Sequence, residues 1–77
     1  SENQFISRPR DGVTYYAVFN YSDKETRRTI DPRRLGLDPA AEYDFEELWS
    51  GEHLTLRRPA EISIPGKDVR FYAIRRR

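Results

Sequence analysis

The sequence contains, at residues 43–51, the stretch Tyr43-Asp44-Phe45-Glu46-Glu47-Leu48-Trp49-Ser50-Gly51. Apolar and acidic side chains alternate in its first half, which is typical of a β-strand with one covered face and one solvated face. The closing Ser-Gly pair is typical of a turn that ends such a strand. Strict alternation would place Glu47 on the covered face, so we predict a bulge at Glu46-Glu47 that returns Leu48 to the core.

Other segments of the chain also have the pattern of short strands separated by turns. The stretch Thr14–Tyr21 is apolar or aromatic on both faces, as in a strand that is covered twice. Residues 26–30 are β-branched with interleaved arginines, which is typical of an edge strand. Asp31–Gly36 carries a capping aspartate, a proline and a glycine stop, so it predicts at most one short helical turn. The Pro65-Gly66 pair indicates a type II turn.

Composition limits what kind of protein this can be. A chain of 77 residues with no cysteine forms one domain without disulfides, and its 36% hydrophobic and 35% charged residues leave it a thin core. We count seven strand candidates and no helix of ordinary length. The predicted fold is therefore all-β, a small antiparallel Greek-key β-sandwich.

Charge and hydropathy argue against two classes of partner. Fourteen Lys and Arg residues against thirteen Asp and Glu give a net charge of +1, with the signs mixed along the chain. A nucleic-acid-binding surface would be one-sided, so we expect no nucleic-acid partner and interpret Arg75–Arg77 as a solvated tail. No run reaches the roughly 18 apolar residues of a membrane span, so no membrane partner is expected. The location of the protein stays open.

Side chains that could carry chemistry are sparse. Asp44 and Glu46 lie roughly 6–7 Å apart on one strand face, a spacing that glycoside hydrolysis uses, but this is the solvated face. His53 is the only histidine, and no metal-ligand spacing surrounds it. We therefore predict no catalytic residue, no cofactor-binding residue, no metal site and no cofactor.

Aromatic residues are the candidates for a contact surface. Their rings could stack on a sugar or fill a contact with a second domain. The candidate residues are Tyr15, Tyr16, Tyr21, Trp49 and Tyr72.

Several motifs, taken in order, resemble a known family. They are Tyr16-Ala17-Val18-Phe19-Asn20-Tyr21-Ser22-Asp23, Leu35-Gly36-Leu37, the run 43–51, Ile64-Pro65 and Asp68-Val69-Arg70-Phe71-Tyr72. Together they resemble the C-terminal β-sandwich of α-galactosidases (melibiases) and related α-amylase-type glycoside hydrolases. Their order and spacing, from Thr14 to Ile74, carry the resemblance, because no single motif is specific.

The resemblance implies a sandwich of about seven to eight strands that packs against a (β/α)8 catalytic barrel in the same parent chain. The catalytic residues belong to that barrel, so we expect residues 1–77 to be one non-catalytic accessory domain, excised from the C-terminus of a larger glycoside hydrolase. Residues 1–3 are interpreted as vector-derived. We expect the interface to use aromatic residues of Thr14–Tyr21 or of the last strand, with Trp49 pinning a strand end in the core or at the barrel contact. The alternatives are a carbohydrate-binding module that uses exposed Tyr and Trp rings, and a standalone protein-interaction domain.

Overall fold

The computed structural model describes residues 3–8 and 12–77. Residues 1 and 2, which we interpreted with Asn3 as vector-derived, lie outside the described part. The strands are β1 (Gln4–Ser7), β2 (Thr14–Asn20), β3 (Thr26–Ile30), β4 (Tyr43–Glu47), β5 (His53–Leu56), β6 (Ala60–Ile64) and β7 (Asp68–Arg76). Within these residues, no helix is long and apolar enough to cross a membrane.

The strands form two sheets. The larger sheet has five strands in the order β1-β2-β7-β4-β5, and the smaller sheet pairs β3 with β6. Every pairing is antiparallel. The fold class predicted from the sequence, a small all-β antiparallel sandwich, is thereby confirmed. The chain enters the smaller sheet twice and returns each time, so its last strand, β7, is inserted between β2 and β4.

The side chains of β2 alternate between the two faces of the larger sheet. Thr14, Tyr16, Val18 and Asn20 are buried against the smaller sheet, whereas the intervening residues are half-buried on the outer face. This alternation follows from the two-residue period of a pleated strand. Because both faces of β2 carry apolar side chains, the larger sheet presents apolar surface in two directions.

The core lies between the two sheets and is built from large side chains. Its fully buried residues include Val18, Ile30, Phe45, Ile64 and Ile74, none more than 1% exposed. Two tyrosine rings, Tyr16 and Tyr72, stack with their centroids 6.4 Å apart, and the Phe45 ring meets that of Tyr72 edge-on at 6.0 Å. Large rings fill much volume per residue, so few side chains are enough for a domain of this size.

The predicted bulge in β4 is wrong. The strand alternates regularly from Tyr43 to Glu47, which places Glu47 on the buried face at 3% exposure and leaves Leu48 38% exposed. A buried carboxylate is costly unless hydrogen bonds satisfy it. Glu47 accepts such bonds from backbone N–H groups on two segments, which the next subsection describes.

The segment after β3 forms the predicted single turn. The Asp31 side chain accepts a hydrogen bond from the Arg33 N–H (3.0 Å), as a capping aspartate does. At the other end, the Gly36 N–H donates to the Arg33 carbonyl (3.2 Å) and the Leu37 N–H donates to the Pro32 carbonyl (3.0 Å). These two bonds are those of a Schellman motif, and Gly36 has the positive φ of 77° that the motif requires.

The predicted type II turn at Pro65-Gly66 is wrong. Such a turn needs a positive φ at the glycine, but the positive φ, 56°, belongs to Lys67. Gly66 serves a different purpose, since a Cβ atom there would overlap the backbone carbonyl of Asp23. The absence of a side chain therefore lets this turn approach the loop after β2, where the Lys67 N–H donates to the Ser22 carbonyl (2.8 Å).

Candidate interdomain face on the five-stranded sheet

The outer face of the larger sheet carries a continuous apolar surface, which we call the outer apolar face. It surrounds an open depression of about 520 Å³. Strands β1, β2 and β7 supply most of its side chains, and the turn after β4 supplies a tryptophan. Its residues are Phe5, Ser7, Tyr15, Ala17, Phe19, Trp49, Val69 and Phe71. Six of these eight are aromatic or aliphatic residues larger than alanine, so little of the surface can form hydrogen bonds.

Phe71 lies at the centre of the aromatic contacts on this face. Its ring centroid is 6.1 Å from that of Tyr15 and 6.1 Å from that of Trp49. At the margin, the rings of Phe19 and Tyr21 stack almost in parallel, with an interplanar angle of 3°. Trp49 and Tyr21 are 68% and 64% exposed, so these large rings lie open to the surroundings.

The structure divides the five aromatic candidates into two groups. Tyr15, Tyr21 and Trp49 lie on or beside the outer apolar face. Tyr16 and Tyr72 are 2% and 3% exposed and lie between the sheets, so their rings cannot stack on a sugar or a second domain. Of the two roles expected of Trp49, pinning a strand end in the core is wrong, because its ring is on the outer face. Its role at a barrel contact stays a prediction.

Sequence reasoning missed one large residue of this face. Phe5 is 63% exposed and lines the depression, but its strand, β1, has only four residues. Periodicity over so short a segment carries little signal. The signal that could have found it is that Phe5 and Ile6 are adjacent apolar residues. In a strand, one of two adjacent side chains points away from the core.

Beyond the outer apolar face, the same sheet surface becomes charged. On β4, Asp44 accepts from the His53 Nδ1 (3.0 Å), and Glu46 pairs with Arg75 (3.3 Å). Asp44 and Glu46 have the spacing of a glycosidase pair, but each contacts a basic side chain on an open surface. Among residues 3–8 and 12–77, no three His, Asp or Glu side chains lie close enough to hold a metal ion.

The buried Glu47 carboxylate positions two residues of the outer apolar face through their backbones. Its Oε1 accepts from the N–H groups of Trp49 (3.0 Å) and Ser50 (2.8 Å), and its Oε2 accepts from the N–H of Phe71 (2.8 Å). Burial alone would raise the pKa of Glu47, but these hydrogen bonds outweigh it and hold the pKa below its ordinary value. An ionised group on the inner face thus ties the Trp49 turn to the central strand β7.

A known protein family matches nearly the whole chain, including all the motifs noted in the sequence. Residues 3–74 match the family described as the alpha galactosidase C-terminal beta sandwich domain. The chain belongs to this family. The match confirms the resemblance seen in the motifs of the sequence. The run 43–51, which contains β4 and the turn after it, carries both Glu47 and Trp49.

Solved structures share the fold of this chain at low sequence identity. It is similar to α-galactosidase I from Mortierella vinacea, with a TM-score of 0.78 and 13% identity, over 96% of this chain and 21% of that one. It is also similar to a GH27 β-L-arabinopyranosidase from Geobacillus stearothermophilus in complex with arabinose, with a TM-score of 0.80 and 17% identity, over 97% of this chain and 18% of that one. The domain thus spans about a fifth of the length of these enzymes. No curated protein matches its sequence.

Proposed function

We propose that this domain is the non-catalytic C-terminal accessory domain of a glycoside hydrolase, of the α-galactosidase kind, and that it packs against and stabilises a (β/α)8 catalytic barrel in the same chain. The observation that carries the proposal is the outer apolar face, with Trp49 68% exposed beside Phe71. Family membership and the share of the related enzymes that the domain spans support the same assignment.

Physical chemistry favours a covered outer apolar face. Soluble monomers rarely leave contiguous apolar patches of more than a few hundred Å² in water, and covering one gains about 25 cal/mol for each Å² of apolar surface. The charged surface around Asp44, Glu46 and Arg75 would then form the polar rim that surrounds the apolar centre of an interface. A neighbouring barrel with apolar side chains at its contact surface would match both parts.

The test compares one variant in two settings, the isolated domain and the parent enzyme. Trp49→Lys should leave the stability of the isolated domain nearly unchanged, because the ring is already exposed. In the parent enzyme the same change should lower the thermal midpoint or split one unfolding transition into two, measured by differential scanning calorimetry. Thr29→Lys, on the exposed side of the smaller sheet, is the matched control and should change neither protein. An unchanged parent enzyme carrying Trp49→Lys would contradict the packing proposal.

Carbohydrate binding at the same face is the second candidate. The nearly parallel Phe19 and Tyr21 rings and the open Trp49 ring favour it, since flat aromatic surfaces can stack on a pyranose ring. The scarcity of hydrogen-bonding groups in the depression argues against it, because a sugar hydroxyl that loses water needs a partner. Titration of the isolated domain with galactosides and α-glucans, followed by NMR, separates the candidates. No shift changes among these rings at millimolar sugar would exclude useful binding at this face.

A further inference from the structure

A second concave site lies on the opposite side of the larger sheet. Two strands cannot cover all five strands of the larger sheet, and an open groove of about 190 Å³ lies where β5, β6 and β7 meet. We call it the inner groove. Its lining includes Glu47, Glu52, Leu54, Ile62, Arg70 and Tyr72. It shares no residue with the outer apolar face.

The Tyr72 hydroxyl is the most informative group in the inner groove. The residue is 3% exposed, and it stacks on Tyr16, whose hydroxyl donates to Gln4 Oε1 (3.1 Å). Among the described residues, the Tyr72 hydroxyl has no such protein partner, and no fully buried side-chain oxygen is left unsatisfied. Tyr72 lines the inner groove, so a small ligand in that groove can reach its hydroxyl. Burial, and next the charge of Glu47, raise the pKa of Tyr72 to about 12, so the hydroxyl keeps its proton at neutral pH.

Arg70 supplies further donors beside that hydroxyl. Its Nε donates to the Ser63 carbonyl (3.2 Å), which orients the guanidinium group. The two terminal nitrogens make no hydrogen bond or ion pair with the part of the chain that the structure describes. Glu52 supplies acceptors, since its carboxylate has only a long contact of 3.4 Å with the Ser50 hydroxyl. Leu54 and Ile62 add apolar surface to the same groove.

We propose that the inner groove binds a small neutral polyhydroxylated ligand, of the size of one monosaccharide ring, through Tyr72, Arg70 and Glu52. The groove combines a guanidinium group with carboxylates, so a charged ligand of either sign meets repulsion as well as attraction. Vicinal hydroxyls both donate and accept, and they therefore match a site that presents donors and acceptors side by side. The volume is below the range of drug-sized pockets, which limits the ligand to one ring. This site does not depend on packing against a barrel.

The test uses D-galactose as the probe and the 77-residue chain as the protein. In a titration followed by amide NMR shifts, we expect saturable changes at residues 52–54, 62 and 70–72, with millimolar affinity. Tyr72→Phe should weaken binding at least five-fold without loss of stability, because no protein hydrogen bond is removed. Tyr16→Phe is the matched control: it removes a tyrosine hydroxyl from the same ring stack and should leave the affinity unchanged. Arg70→Gln should weaken binding by a similar factor.

Three outcomes would overturn the proposal. They are the absence of saturable shifts, unchanged affinity in both Tyr72→Phe and Arg70→Gln, and shifts confined to Trp49 and Tyr21. The last result would place the sugar on the outer apolar face instead. Because Trp49→Lys tests the barrel contact and leaves the inner groove intact, the two proposals can fail separately.

Discussion

Asn20 is a buried amide that ties three segments together. Its Nδ2 lies 2.7 Å from the Lys24 carbonyl, 3.0 Å from that of Ile64 and 3.1 Å from that of Pro65. Its Oδ1 accepts from the Ser22 N–H (3.0 Å) and hydroxyl (2.7 Å). These bonds explain the Asn and the Ser of the run Phe19-Asn20-Tyr21-Ser22-Asp23, since Asn20 and Ser22 close the loop after β2 onto the end of β6.

We expect Asn20→Ala to lower the free energy of unfolding by about 2–3 kcal/mol, because buried carbonyl groups lose their donor. Asn20→Asp should cost more at neutral pH, since a carboxylate would face the three carbonyl oxygens. Urea denaturation measures both changes. Thr29→Ala, at an exposed position on β3, is the control and should stay within about 0.5 kcal/mol of the wild type. Equal losses in Asn20→Ala and Thr29→Ala would show that the network is not needed.

Glu47 makes the free energy of unfolding of the domain depend on pH in the acid range. Its pKa in the folded chain lies below the ordinary value of 4.5, so the unfolded chain binds the proton more tightly. The stabilisation is therefore complete above about pH 4.5 and is lost as the pH falls from there through the folded pKa. Glu47→Gln should lose about 2 kcal/mol at neutral pH, because an amide NH2 would face a backbone N–H.

The measurement is the free energy of unfolding by urea at a series of pH values between neutral and strongly acidic. Below pH 4.5 the wild-type curve should fall more steeply than that of Glu47→Gln. Glu61→Gln is the matched control, because Glu61 forms an exposed ion pair with Arg27 and such pairs contribute little. If the two Gln variants have the same pH dependence, the role assigned to Glu47 is incorrect.

Among the elements, β7 holds the larger sheet together. It pairs with β2 from Asp68 to Ile74 and with β4 from Tyr72 to Arg76. The interpretation of Arg75–Arg77 as a solvated tail is therefore wrong, because Arg75 and Arg76 belong to this ladder. Within the described chain, β5 pairs with β4 alone and β1 with β2 alone. Opening β7 therefore breaks two ladders at once, whereas an edge strand can open by losing one.

Hydrogen exchange should show this order. Amides in the middle of β7, at Tyr72 and Ala73, are expected to exchange only through global unfolding. Amides of β5 should exchange through local opening, with free energies at least about 1 kcal/mol lower. Native-state exchange by NMR measures both sets in one sample. Equal protection in β5 and β7 would contradict the central position of β7 as the source of stability.

The two sheets differ in the kind of side chain that they expose to solvent. The outer side of the smaller sheet carries charged and polar residues such as Arg27 and Glu61, whereas the larger sheet carries the outer apolar face. The isolated domain should therefore self-associate weakly through the larger sheet at high concentration.

Trp49→Lys should reduce that self-association, measured by sedimentation equilibrium, because it places a charge on the outer apolar face. Its free energy of unfolding should stay within about 0.5 kcal/mol of the wild type, since a ring that is 68% exposed contributes little to the core. Thr29→Lys should leave both quantities unchanged. Self-association that persists unaltered in Trp49→Lys would show that another surface is responsible.

The amino-acid sequence predicts the strands, the turn at Asp31–Gly36 and the family, because these depend on local periodicity, capping chemistry and the order of motifs. It does not predict which of two adjacent rings, Tyr15 or Tyr16, points inward, because both faces of β2 are apolar. Tyr16 is the buried one because the smaller sheet packs on its face. Nor does the sequence predict that Glu47 is buried and Trp49 exposed. The N–H of Phe71 that helps to satisfy the Glu47 carboxylate lies on a strand 24 residues later, and the two meet because the folded chain places β7 beside β4.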